Sequence, residues 1–362
     1  MKNNGNQYVV SKVIDIVKQK KRSRVTLEQV AKHAGVSRAT ASLVVRGSSA
    51  ISKETREKVL KAMKELGYVY DRVAANLRSQ RSSTVGLIIT EIGNPFFSEL
   101  LVGVHEALDK EGYTVILGTT FDSPEKQDAL LSTMLEYRVG GVIMSPVPGC
   151  SVDMVERLKQ WEIPVVLIAR KLPSGEQFDY VGIDNVEGGR LATEHLIQQG
   201  HRRIAFLGGF ADSSVWRDRK KGYCQALEQA GIEIDESLFI QALTTRQGGK
   251  EAMKKVLQHP NPPTAVFCYN DVVAFGAMLG LKEDGMVPGR DIAVVGFDNI
   301  QESALFHPPL TTIAAFPEKI GIHAADILHQ RMTGEISEPK RLILQPELVV
   351  RQSSLSNFHD LF

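Results

Sequence analysis

The chain has 362 residues, 43% hydrophobic and 23% charged with 15 prolines, which excludes a disordered or fibrous protein and allows two or three domains. No run reaches the roughly 20 apolar residues of a membrane helix, Ser11, Lys12 and Asp15 break the apolar stretch that a secretory leader needs, and Cys150, Cys224 and Cys268 are too scattered for a CxxC-type zinc site or a disulfide scaffold, so a reducing cytoplasm is expected. The net charge of +1 conceals a division: residues 1–81 hold 18 Lys+Arg against 6 Asp+Glu, whereas the rest hold 25 against 36. A basic module on an acidic body is a common arrangement for nucleic-acid binding, although an ordinary solvated basic face gives the same count.

Within the basic module, Val9, Val10, Val13, Ile14 and Val17 have the spacing of an amphipathic helix, followed by the basic run Lys18–Arg24. Thr26-Leu27-Glu28-Gln29 is a capping box that opens a short helix with Leu27, Val30, Ala31 and Ala34 on one face. Gly35 ends it, Ser37 caps a second helix running to about Val45, and Gly47 stops that one. Ser52 caps a third helix with the stripe Val59, Ala62, Met63 and Leu66, closed by Gly67. Two short helices joined through a glycine turn and braced by a third make a helix-turn-helix.

The second helix sets the function of this unit. Thr40, Ala41, Val44 and Val45 can face the braces, leaving Arg38, Ala39, Ser42 and Leu43 outward and Arg46 at the end. Outward residues near the start of such a helix reach base edges in the major groove. Arg38 suits bidentate contact with guanine, and Ala39 or Leu43 suits contact with a thymine methyl. Lys53 and Arg56, with Lys58, open the third helix where phosphate contact is expected. The set expected at DNA also includes Thr26, Ser37 and Thr40. A solvated Arg38 is the plain alternative.

The run Val25 to Gly47, with Thr55-Arg56-Glu57-Lys58-Val59 and Leu66-Gly67-Tyr68, resembles the headpiece of the LacI/GalR family of bacterial transcription repressors. Asp71-Arg72-Val73-Ala74-Ala75-Asn76-Leu77 resembles the family's hinge, with Tyr70 where the family usually has Pro. The resemblance implies that the hinge orders into a helix on DNA with Leu77 as a minor-groove wedge, an apolar side chain that trades base unstacking for a bend. The alternative for Leu77 is a packing contact between domains. It also implies that residues 1–24 are an extension, read either as a basic arm adding phosphate contacts or as the product of an unused upstream start.

From Val85 apolar runs alternate with amphipathic helices. Strands are expected at Val85–Thr90, Thr114–Gly118, Gly141–Ser145, Val165–Ala169, Tyr180–Ile183, Arg203–Leu207, Ala265–Tyr269 and Ala293–Phe297. Helices are expected near 97–111, 124–137, 152–160, 187–199, 218–230, 247–257 and 272–284. Such alternation means doubly wound parallel sheets, and about 260 residues suffice for two, with a ligand cleft at their strand ends. The predicted fold is therefore an α/β body of two doubly wound parallel-sheet subdomains behind an all-α helix-turn-helix headpiece. Its divisions are 1–24, 25–70 for the headpiece, 71–83 for the hinge, 84–352 for the body and 353–362 for a tail.

Asn94-Pro95-Phe96-Phe97, Gly182-Ile183-Asp184-Asn185, Gly200-His201-Arg202-Arg203-Ile204, Arg219-Lys220-Lys221-Gly222-Tyr223, Asn270-Asp271 and Gly296-Phe297-Asp298 extend the family resemblance over roughly 25–352. It implies a periplasmic-binding-protein-like body with an effector between the subdomains, contacted by Asn94, Phe96, Phe97, Arg219, Asn270 and Asp298. Aromatic faces suit sugar C–H surfaces, and Arg, Asn and Asp suit hydroxyl pairs. The alternatives are a strand-end cap for Asp298 and a helix start for Asn270-Asp271. Relatives often carry an aromatic residue near Leu243-Thr244, and its absence argues against an ordinary monosaccharide. The Ser42-Leu43-Val44 and Gly222-Tyr223-Cys224 runs look closest to the family's maltose-regulon branch.

No GxSxG, HExxH or GxGxxG is present, and Gly248-Gly249-Lys250 lacks the leading glycine of a P-loop. The pairs His195/His201 and His323/His329 have no helix-face metal spacing. The expected protein is thus a homodimeric, cytoplasmic regulator of operator DNA without cofactor, metal or membrane partner, controlled by a sugar-type effector. A solute-binding protein or a sugar enzyme is the rival reading.

Overall fold

The computed structural model describes residues 25–45, 47–69, 82–173 and 175–355, and the chain divides between 80 and 81 into two compact units. The first unit holds α1 (Leu27–His33), α2 (Arg38–Val45) and α3 (Lys53–Leu66). The capping box forms: Gln29 N–H donates to Thr26 Oγ1 at 3.3 Å and Thr26 N–H donates to Gln29 Oε1 at 2.8 Å. Gly35, at φ 66°, makes the turn into α2, whose Thr40 N–H donates to Ser37 Oγ at 3.0 Å. Ser52 likewise accepts from Thr55 N–H at 3.3 Å. Val30, Ala31, Ala41, Val44, Val59 and Ala62 form the core. With side chains this small, three N-caps worth about 1 kcal/mol each are a substantial share of the unit's stability.

The second unit begins with β1 (Thr84–Ile89), α4 (Pro95–Lys110), β2 (Thr114–Thr119), α5 (Pro124–Glu136), β3 (Gly141–Met144), α6 (Val152–Gln160), β4 (Val165–Ile168) and β5 (Asp179–Ile183). It continues through α7 (Asn185–Gln198), β6 (Ile204–Leu207), α8 (Ser214–Gln229), β7 (Phe239–Ile240), α9 (Arg246–Leu257), β8 (Ala265–Cys268) and α10 (Asp271–Glu283). Then come β9 (Ala293–Asp298), α11 (Glu302–Leu305), β10 (Thr311–Ala314), α12 (Pro317–Thr333), β11 (Arg341–Leu344) and β12 (Glu347–Val349). Two six-stranded sheets result, in the orders β11-β5-β4-β3-β1-β2 and β12-β10-β9-β8-β6-β7. Every pairing is parallel except β10 with β12. Strands β3, β4, β5, β6, β8 and β9 are buried throughout, which is why they read as apolar runs.

The chain passes between the sheets three times, after β5, after β10 and after β11. Helix pairs flank the sheets, and glycines set how closely they pack. A Cβ on Gly103 of α4 would lie 2.1 Å from Glu318 O of α12, and one on Gly321 of α12 would lie 2.2 Å from Leu100 O of α4. The same reciprocal contact joins Gly189 and Gly222 in the α7/α8 pair, and Gly249 and Gly276 in the α9/α10 pair. Helices α4 and α12 pack closely against each other. Their outer faces stay open, with residues such as Val102 exposed.

Four strands have no counterpart in the sequence expectation. β7 has only two residues, and β11 and β12 are half-exposed edge strands without an apolar run. β10 begins Thr311-Thr312, yet both residues are fully buried. Thr311 Oγ1 donates to Arg351 O at 2.8 Å and Thr312 Oγ1 donates to Asp271 Oδ1 at 2.5 Å. Hydroxyls satisfied in this way can be buried at little cost.

Candidate functional site

The first unit presents Arg38 and Ala39, both exposed, on the opening turn of α2, while Ser42 and Leu43 behind them are half-buried. The opening-turn pair has the placement of a base-reading helix start. Ser37 and Thr40 bond each other through their hydroxyls at 2.9 Å and so fix the helix start. Thr26 is engaged in its capping box. Lys53 is exposed at the start of α3. Arg56 is half-buried and donates from Nη2 to Ser48 O at 2.5 Å, tying α3 to the turn after α2. A residue expected to be a phosphate hand is therefore also a structural strut. Arg46 and Leu77 lie outside the described residues.

In the second unit, the carboxyl ends of the strands converge on a narrow cavity open to solvent. All six residues expected at a ligand line it: Asn94, Phe96, Phe97, Arg219, Asn270 and Asp298. Their arrangement follows from local chemistry. Asn94 caps α4 by accepting from Phe96 N–H at 3.1 Å. Phe96 and Phe97 meet edge to face, with centroids 5.2 Å apart, and both are largely buried, so they offer the cavity limited ring surface. Asn270 caps α10, accepting from Val273 N–H at 2.9 Å; its reading as a helix start is correct and its place in the cavity is additional.

Arg219 is only 5% exposed. It donates from Nε to Asn185 Oδ1 at 2.9 Å and from Nη1 to Tyr269 O. Its guanidinium carbon lies 3.4 Å from the Phe297 ring centroid, a cation–π arrangement. Nη2 stands 3.7 Å from Asp298 Oδ1. Burial pushes the Asp298 carboxyl well above the usual carboxylate range, although Arg219 pulls the other way. Asp298 also has φ 115°, a strained conformation for a non-glycine residue. Arg219 is thus the centre of a buried network and not a side chain waiting in solvent.

Several cavity residues are absent from the sequence expectation: Thr90, Glu91, Arg170, Asn185 and Tyr269. Arg170 grips Asp122 bidentately, with Nη2 donating to Oδ2 at 3.2 Å. Burial opposes the Arg170 charge, yet the Asp122 bond leaves its affinity for the proton raised. Burial raises the Glu91 carboxyl, and the Asp122 charge adds to this. Thr90, Arg170, Asn185 and Tyr269 all stand one or two residues beyond the carboxyl end of a strand. That position in a doubly wound sheet is the signal that identifies them.

Deeper, Asp271 accepts from Ile300 N–H at 3.0 Å, Ser303 Oγ at 2.7 Å and Thr312 Oγ1 at 2.5 Å. Burial pushes its carboxyl up to about 6 despite these donors. It fastens the loop after β9 to α10. Among the described residues, no group of three His, Cys, Asp or Glu could hold a metal ion, and no helix is long and apolar enough to cross a membrane.

Residues 26–71 match the model for bacterial regulatory proteins of the lacI family, and residues 82–352 match that for periplasmic binding proteins and the sugar binding domain of the LacI family. The HTH-type transcriptional repressor PurR of Erwinia tasmaniensis is 36% identical over 330 residues, covering 91% of this chain and 96% of the relative. A CelR transcriptional regulator–cellobiose complex is 36% identical, with a TM-score of 0.69 over 91% of this chain and 100% of that one. The lac repressor dimer bound to operator and the anti-inducer ONPF is 29% identical, with a TM-score of 0.80 over 92% and 100%.

Proposed function

This chain belongs to the LacI family of bacterial regulatory proteins, and from that premise we propose that it is a cytoplasmic, homodimeric repressor released from or fastened to its operator by a sugar-type effector. It is a helix-turn-helix transcriptional regulator with a ligand-binding body. The observation that carries the effector reading is the convergence of Asn94, Phe96, Phe97, Arg219, Asn270 and Asp298, drawn from both subdomains, on one cavity. CelR, a relative of similar length, is known with cellobiose, and polar side chains beside aromatic rings suit polyhydroxylated ligands. The reading is of binding without turnover.

Arg38 and Ala39 read bases, Lys53 and Arg56 face phosphates, and the segment 71–83 transmits the body's state. One headpiece carries few base contacts, so two related by symmetry read half-sites about 10 bp apart. The effector shifts the body only by its differential affinity for two subdomain arrangements. Selection of genomic fragments by the purified chain, followed by operator titration with and without sugars, tests the reading. A near-palindromic site whose affinity changes more than tenfold with a sugar supports it. Tight operator binding by a monomer, or catalytic consumption of the sugar, refutes it.

A further inference from the structure

The cleft continues outward into a second, wider chamber of about 260 Å³ that none of the six effector residues lines. It shares Thr90, Glu91, Arg170, Thr244 and Tyr269 with the inner cavity, so the two are continuous. Its walls come from both subdomains: Phe121 follows β2 of the first sheet, and Phe210 and Leu243 follow β6 and β7 of the second. Phe121 is 61% exposed and Phe210 is 44% exposed. With Leu243 and Pro148 these rings give the chamber an apolar part, beside a polar part made by Glu91, Asp122, Asp212, Ser213, Thr244 and Thr245.

The polar groups narrow the chemistry. Ser213 precedes α8, a helix of 16 residues, yet makes no side-chain cap to it. It is 5% exposed, lines the chamber, and its Oγ has no hydrogen-bond partner among the described residues. A buried hydroxyl left in that state is destabilising, and a ligand hydroxyl that bonds to it removes the penalty. Charge in the chamber is predominantly negative: Glu91, Asp122 and Asp212 stand against Arg170, which Asp122 already engages. A phosphate or carboxylate is therefore disfavoured.

We propose that the effector is an uncharged saccharide of at least two units, with one unit in the inner cavity and the next in the outer chamber against Ser213, Phe121 and Phe210. The inference rests on the reading of the inner cavity as the effector site. It makes the outer chamber a selector of ligand length and charge.

Calorimetric titration of the full chain with matched sugars tests it: glucose, cellobiose and maltose; galactose, lactose and melibiose; fructose and sucrose; and the monosaccharide 6-phosphates. One disaccharide is expected to bind at least tenfold more tightly than its component monosaccharides, with the 6-phosphates weakest. Ser213→Ala and Phe210→Ala should each reduce that tenfold advantage to threefold or less. Both changes remove atoms from a cavity wall, and thermal melting confirms that the variants are folded. A monosaccharide or 6-phosphate binding as tightly as any disaccharide, or variants that retain the full advantage, would overturn the proposal while leaving the inner-cavity reading intact. Absence of binding by every sugar would overturn both.

Discussion

Removal of the Arg219 guanidinium should cost the body more stability than any other single change in the cavity. Arg219→Met keeps the chain's length and apolar volume but strips the donors from Asn185 Oδ1 and Tyr269 O and the positive charge from beside Asp298. Breaking a buried pair from one side costs about 3–5 kcal/mol. Proton uptake by Asp298 limits the loss at low pH, because burial already holds that carboxyl above its ordinary range. A carboxyl raised in the folded state contributes stability that is complete below its unfolded value and is lost as pH rises through the folded value. Without Arg219 the folded value rises further, so the gap between wild type and variant should widen as pH rises, with pH 5 and 7.5 as the two conditions compared. Asp298→Asn removes the stranded charge, and the double variant should be about 1–2 kcal/mol more stable than Arg219→Met alone at pH 7.5. Urea titrations of the four proteins at both pH values measure this. A cost below about 1 kcal/mol for Arg219→Met, or a gap that ignores pH, would refute the network as described.

Arg38→Ala should cost about 1–3 kcal/mol at one base position per half-site; an unchanged ranking of operator variants would make Arg38 a spectator. Arg56→Ala should weaken all operator variants evenly and also lower the headpiece's melting temperature, since it removes the bond to Ser48 O; calorimetry and salt-dependent binding separate the two effects. Gly222→Ala places a Cβ 1.9 Å from Val186 O, where only backbone movement makes room, and should destabilise the body by about 3 kcal/mol in thermal melts. Asp271→Asn removes a carboxyl raised to about 6. Wild type's advantage over this variant should shrink by up to about 3 kcal/mol as pH rises from 4 to 6.5, measured by urea titration.

The sequence made the buried parallel strands plain because both of their faces are covered, so each is an unbroken apolar run. The helix starts were equally plain, because Thr26, Ser37 and Ser52 combine a short polar side chain with a following amphipathic pattern. Strands β10 to β12 were hidden for a physical reason. Their stability comes from partners far away in sequence, such as Arg351 for Thr311 and Asp271 for Thr312. The six cavity residues were reached through motif, and the helix-start role of Asn270 was read as well, but the network around Arg219 was not. Nothing local to Arg219 indicates that Asn185, Tyr269 and Asp298 will surround it. Likewise the position of Ser48 after α2 gives no notice that Arg56 will bond its carbonyl. Arg170 was legible by position beyond a strand end, since the residues before it end a buried run.

The three passages between the sheets mean that neither subdomain is a continuous stretch of chain. The first sheet is begun by β1 through β5 and completed by β11, after the entire set β6 to β10 of the other sheet. During synthesis the headpiece helices are available early, since all three are encoded before residue 67. The first sheet, by contrast, waits for Arg341–Leu344 to gain its last strand, and for α12 to cover β3, β4 and β5. A nascent or truncated chain therefore holds the three headpiece helices together with a body whose first sheet is unfinished. Shortening the chain by its last few dozen residues would thus unmake the first sheet of the body while leaving every residue of the headpiece core in place.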